Sequence, residues 1–99
     1  MSYCYIYHPI AVEEYKEAIE WYEERSELAA ENFVKEFQEK LENVCENPLL
    51  YLNSYQHFRE TSLKKYPHKI VYFIDTSKKI IVVTSVYHHK RNPIKKYKK

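Results

Sequence analysis

Two stretches of this chain bring together side chains that can act on a phosphate. The first is "VYHHKRNP", where His88, His89, Lys90 and Arg91 follow a β-branched run. Histidine titrates near neutral pH, so His88 or His89 can give or take a proton. Cleavage of RNA needs a base at the 2′-hydroxyl, an acid at the departing 5′-oxygen and a cation that steadies charge on phosphorus. Arg91, with Arg59 from the second stretch, is a candidate phosphate clamp. Basic neighbours lower a histidine's pKa, which suits a base more than an acid. On an extended strand His88 and His89 point to opposite faces, so one of them faces any given site. A solvated strand end is the plainer reading of such a pair.

The second stretch is "HFRETSLKKYPHKIVYFID". Arg59 stands on an expected strand, and Lys64 and Lys65 follow in or near a turn. His57, Tyr66 and His68 lie close by in sequence. Cations interleaved with flat rings suit RNA, because cations meet phosphate and rings stack on unpaired bases. The structural alternatives are that Arg59 pairs with acidic helices and that Tyr66, before a proline, anchors a turn in the core. The closing "NPIKKYKK" adds Lys95, Lys96, Lys98 and Lys99, a flexible basic tail over about 93–99 that either attracts a polyanion or simply keeps the end soluble.

Composition excludes other chemistries. Glycine is absent. Phosphate-cradling loops of the P-loop and Rossmann kinds need backbone at positive φ or in close approach, so no nucleotide cofactor is expected by those means. Turns fall to Asn, Asp, Ser and Pro. Cys4 and Cys45 form no CxxC pair and read as reduced, partly buried thiols. No metal-ligand spacing occurs among the histidines, so no metal is expected. No apolar run is long enough for a bilayer, and the N-terminus has no secretory pattern, which makes the cytoplasm the expected compartment.

The net charge of +2 hides a division. Up to Leu50 there are four basic residues against twelve glutamates; beyond it, twelve basic residues against Glu60 and Asp75. A chain polarised in this way can offer a partner a basic face.

The elements that must position these residues follow from periodicity. "YCYIY" reads as a strand, closed by His8-Pro9. Val12, Tyr15, Ile19 and Tyr22 recur at helical spacing. Ser26 starts a second helix whose apolar residues are Ala30, Phe33, Phe37, Leu41 and Val44, stopped at Asn47-Pro48. "LLYLNSYQHF" reads as a connection that becomes extended near Gln56 to Thr61. "KIVYFID" and "IIVVTSVY" are strands of a hairpin joined through "DTSKK". The order β-αα-βββ predicts a single α+β domain over 1–99, an antiparallel helical hairpin packed on a small antiparallel sheet. The basic residues are expected on the open sheet face or along one rim.

Nearly the whole chain resembles, in order and spacing, the RelE/ParE superfamily of toxins from bacterial type II toxin–antitoxin modules, in its ParE-like, plasmid-stabilisation portion. Two features carry the likeness: an arginine seven residues before an aromatic-Pro step (Arg59 to Tyr66-Pro67), and a closing strand ending in His-x-x-Arg-x-Pro (His88, Arg91, Pro93). The family often has Phe-Pro-Tyr where this chain has Tyr66-Pro67-His68. The resemblance implies a toxin held inactive by a cognate antitoxin, whose extended C-terminal segment wraps it. RelE-like members cleave mRNA on the ribosome without metal, and ParE-like members poison DNA gyrase without a nuclease set. Carried over by position, Arg59, His88, His89 and Arg91 would be catalytic, while Lys64, Lys65 and Tyr97 would help hold nucleic acid. A metal-independent endoribonuclease, a non-enzymatic gyrase inhibitor and a non-toxic nucleic-acid-binding module remain the three alternatives.

Overall fold

The structure is a computed structural model that describes residues 3–88. Strand β1 (Cys4–Tyr7) leads into helix α1 (Pro9–Glu23) and helix α2 (Glu27–Glu46). A 3-10 turn (Pro48–Leu50) follows, then β2 (Leu52–Tyr55), β3 (Phe58–Ser62), β4 (His68–Asp75) and β5 (Ile80–His88). The five strands form one sheet in the order β1-β5-β4-β3-β2. All neighbours are antiparallel except β1, which runs parallel to β5. The α+β architecture matches the sequence expectation, with one addition. Leu52–Tyr55, read as connection, forms an edge strand on β3. Its apolar residues are largely exposed, so it lacks the alternation that marks a half-buried strand.

Local chemistry sets the helix boundaries. Pro9 occupies the first helical position of α1, and His8 caps it by accepting from the Ile10 N–H through Nδ1 at 3.2 Å. Ser26 caps α2, its hydroxyl accepting from the Ala29 N–H. The inner faces of the helices meet one side of the sheet. Phe33, Phe37, Leu41 and Val44 pack with Ile70, Tyr72, Ile81 and Val83, all fully buried. Tyr7, Tyr15 and Tyr22 extend that core as ring contacts; Tyr15 stacks on Phe37 with centroids 4.3 Å apart.

Without glycine, the tight turns place other residues in the left-handed region. Gln56 has φ 50° and Lys79 φ 56°. Each such residue costs roughly 1 kcal/mol. In the β4–β5 turn, Asp75 offsets this by accepting from the Ser77 hydroxyl and the Lys78 N–H. These two hydrogen bonds hold its carboxyl below the ordinary carboxylate range. Of the two free thiols, Cys45 is buried as expected and Cys4 is exposed on β1. No helix among the described residues is long and apolar enough to cross a membrane.

Candidate functional site

The site residues fall at two ends of the sheet. At one end β5 runs on past the last residue of β1. Its exposed edge is closed by α1: the Glu14 carboxylate accepts from the Ser85 hydroxyl at 2.8 Å and the Val86 N–H at 2.9 Å. Beyond this cap, His88 pairs in register with His68 of β4, and their rings meet edge-on with centroids 4.9 Å apart. His68 is buried, its ring against Phe33 and Tyr22. Registered partners share a face, so His88 lies on the helix side of the sheet. It lines a groove of about 320 Å³ with Glu13, Glu17, Trp21, Tyr22 and His68. His68 is the neighbour that the sequence did not single out for this position, since only strand register brings it beside His88.

The turn between β3 and β4 adjoins this end and is closed by the Leu63 N–H donating to the His68 carbonyl. Glu36 of α2 accepts the main-chain N–H groups of both Lys64 and Lys65. The Tyr66 hydroxyl donates to the Ala29 carbonyl, and its ring packs against Tyr22 and Phe33. Burial, with Glu36 nearby, pushes the Tyr66 phenol up. Tyr66 therefore anchors the turn in the core, one of the two readings its sequence position allowed. The lysine side chains remain exposed.

Arg59 lies elsewhere. It pairs with Tyr72, whose side chain is fully buried under the helices, so Arg59 also projects from the helix side. Its guanidinium donates to the Tyr51 carbonyl at 2.8 Å and the Leu49 carbonyl at 3.4 Å. The Tyr72 hydroxyl donates to the Pro48 carbonyl at 2.7 Å. Arg59 and Tyr72 together tie the 3-10 turn to the sheet. Arg59 and His88 are separated by four residues along β4 and by two strand spacings, about 16 Å between Cα atoms.

The opposite face of the sheet is largely apolar. Phe58, Val71 and Tyr87 are buried there beside Phe73, and the His57 ring stacks on Phe58 at 4.5 Å. Lys69 on this face forms an ion pair with Glu60 at 3.1 Å, and Glu60 is buried. Of the two places expected for the cations, the open face does not gather them among the described residues, since Arg59 is on the other side and Lys69 is joined to a carboxylate, whereas Lys64 and Lys65 lie in the turn at one rim. His89, Arg91 and Tyr97, together with the tail at 93–99, lie outside the described residues.

This arrangement is that of a small α+β domain whose helical hairpin covers one side of a five-stranded sheet, with basic and titratable groups at the sheet's ends. Its fold is similar to that of the isolated Escherichia coli RelE toxin, with a TM-score of 0.66 and 19% identity over 94% of this chain and 90% of that one. It is equally similar to a chain of the intact E. coli RelBE toxin–antitoxin complex, with TM-score 0.66 and 19% identity over 91% of this chain and all of that chain. No curated protein matches the sequence. A family model described as "ParE toxin of type II toxin-antitoxin system, parDE" matches residues 5–93. The chain belongs to this ParE toxin family and is the toxin of a type II toxin–antitoxin module.

Proposed function

We propose that this toxin acts by binding, as a non-enzymatic inhibitor of DNA gyrase, and is neutralised by a cognate antitoxin through an extended C-terminal segment. The observation that carries this reading is the position of Arg59. A cleavage site must bring a phosphate-binding cation and a proton-transfer group to one scissile bond, within hydrogen-bond reach of the reacting atoms. The Cα atoms of Arg59 and His88 lie about 16 Å apart by strand geometry, and the Arg59 guanidinium is turned to two main-chain carbonyls. Membership of the ParE family points the same way. Recognition of the antitoxin draws support from the likeness to a chain of the intact E. coli RelBE toxin–antitoxin complex.

A second reading, a ribosome-associated endoribonuclease needing no metal, rests on a different observation. Lys64 and Lys65, in the β3–β4 turn, and His88, at the end of β5, share one end of the sheet, so two cations and one titratable ring lie on the same rim. Here His88 or His89 would transfer the proton, Arg91 would steady the phosphate, and Tyr97 would help hold the RNA.

Inducible expression with two readouts separates them. Gyrase inhibition produces DNA breaks and SOS-type filamentation while mRNA stays intact, and the purified chain blocks supercoiling by gyrase. Cleaved mRNA with intact DNA, relieved by His88→Ala or Arg91→Ala in a folded protein, overturns the binding reading in favour of the nuclease. Growth without either effect overturns both.

A further inference from the structure

We infer that the groove between α1 and the end of β5 is a cation-recognition site, which takes the side chain of an arginine or lysine from a polypeptide against the carboxylates of Glu13 and Glu17 and the ring of Trp21. The groove, of about 320 Å³, joins three kinds of surface. Ile10, Ala18 and Val86 give it apolar walls. Glu13 and Glu17 stand one turn apart on α1, so their carboxylates share one face of the helix. Trp21 follows one turn further along the same stripe. A long cationic side chain uses all three: its methylenes lie on apolar surface, its charged head meets carboxylate, and an indole face attracts it further.

What the fold already does with these groups separates the groove from ordinary acidic helix surface. Its third carboxylate, Glu14, is committed to the Ser85 hydroxyl and the Val86 N–H. Glu13 and Glu17 have no such task, and the ion pairs among the described residues, Arg25–Glu24 and Lys69–Glu60, involve neither of them. Like charges four residues apart repel and weaken a helix. A cation held between them removes that repulsion, so binding gains from a cost the fold carries. Trp21 shows its affinity for a guanidinium within this chain: the Arg25 Cζ lies 3.4 Å from the ring centroid, while Nη1 donates to the Trp21 carbonyl at 2.8 Å. An indole has two faces, and Arg25 covers one.

Charge selects the ligand. An anion would meet three carboxylates, and a purely apolar group would desolvate Glu13 and Glu17 without a counter-charge. Arginine fits best, since its planar fork of donors reaches two carboxylates while its flat face lies on a ring. The same chemistry has two sources: a basic residue of another polypeptide, or one from this chain's own sequence beyond His88, where Lys90, Arg91, Lys95, Lys96, Lys98 and Lys99 stand. The carboxylates concerned take no part in either functional reading above, so the site stands or falls apart from them.

The test uses the full purified chain. Trp21 is its only tryptophan, so indole emission reports on the groove. A tri-arginine peptide is expected to change that emission saturably, whereas the same peptide built with citrulline, the neutral isostere of arginine, is not. Glu13→Gln and Glu17→Gln should each weaken peptide binding about fivefold in proteins whose circular dichroism matches the parent chain. Glu20→Gln alters an exposed carboxylate of α1 outside the groove and should leave binding unchanged. Carbodiimide coupling, which joins a carboxylate to an amine in contact with it, then identifies the source by mass spectrometry. A link from Glu13 or Glu17 to a lysine beyond His88, at the mass of one chain, assigns the cation to this chain itself. Peptide binding without such a link assigns it to another polypeptide. Equal responses to the arginine and citrulline peptides overturn the proposal, as does an equal loss in Glu20→Gln. So does a chain that shows neither peptide binding nor that link.

Discussion

Arg59 shows how one side chain can be located correctly by sequence while its contacts stay hidden. The pattern placed it on a strand, and it stands on β3. What it touches depends on the 3-10 turn, an element that residue spacing did not reveal. Its two carbonyl partners, Tyr51 and Leu49, give a direct prediction. Hydrogen bonds from a charged donor contribute roughly 1.5–3 kcal/mol. Arg59→Ala is therefore expected to lower unfolding free energy by about 2 kcal/mol in urea titration. Arg59→Lys, which cannot reproduce the planar two-carbonyl geometry, should recover less than half of that. Equal stability in all three proteins would remove the anchoring role and return Arg59 to the phosphate-binding role that its position suggested. Glu60, its neighbour in sequence, is the reverse case. Nothing in "FRETS" marks it as buried, because its partner Lys69 is reached only across the β3–β4 pairing.

The elements were more legible than their contacts. Both helices, their boundaries at Ser26 and Asn47-Pro48, and the hairpin β4–β5 follow from apolar spacing and turn chemistry. β2 did not, since a short edge strand with outward leucines has neither a helical nor a strand period. The joining of the β3–β4 turn to α2 was also hidden, because Glu36 is one of twelve glutamates in the acidic half and its spacing is that of a solvated helix face. Its carboxylate accepts two successive main-chain N–H groups from the turn that carries Lys64 and Lys65. Removing it leaves both donors to water and frees the turn from the helix. Glu36→Ala should cost roughly 1–2 kcal/mol, with faster amide exchange at Lys64 and Lys65 and little change in β5. Glu36→Gln keeps an acceptor oxygen and should lose less. If the two amides exchange no faster in Glu36→Ala, the Glu36 carboxylate does not hold the turn to α2, and the Tyr66 hydroxyl on the Ala29 carbonyl is the tie that does.

At the scale of the whole molecule, a glycine-free chain with eleven tyrosines builds its core from phenol rings, and this links its stability to alkaline pH. Burial pushes the phenols of Tyr7 and Tyr72 upward. Nearby Tyr5 and Tyr15 add to the effect at Tyr7, while the Arg59 charge offsets part of it at Tyr72. Tyr15 shifts in the same direction, also by burial. In the unfolded chain these groups lose their protons near pH ~10. Above that pH the unfolded state binds fewer protons than the native state, so unfolding free energy falls as pH rises; each phenol still protonated only in the fold removes up to about 1.4 kcal/mol per pH unit. Below the ordinary phenol range both states hold the protons and these groups contribute no slope. The buried Cys45 thiol, also pushed up by burial, starts a shallower decline from the ordinary thiol range. The urea midpoint should therefore change little from these groups between about pH 7 and 8 and drop steeply beyond ~10. Tyr72→Phe separates the phenol's two roles: it loses the hydrogen bond to the Pro48 carbonyl, about 1 kcal/mol at neutral pH, yet it flattens the alkaline slope by one titrating group. A Tyr72→Phe protein whose alkaline slope equals that of the parent would show that the ring is not held protonated by burial, and that the tyrosine core does not set the upper pH limit of the fold.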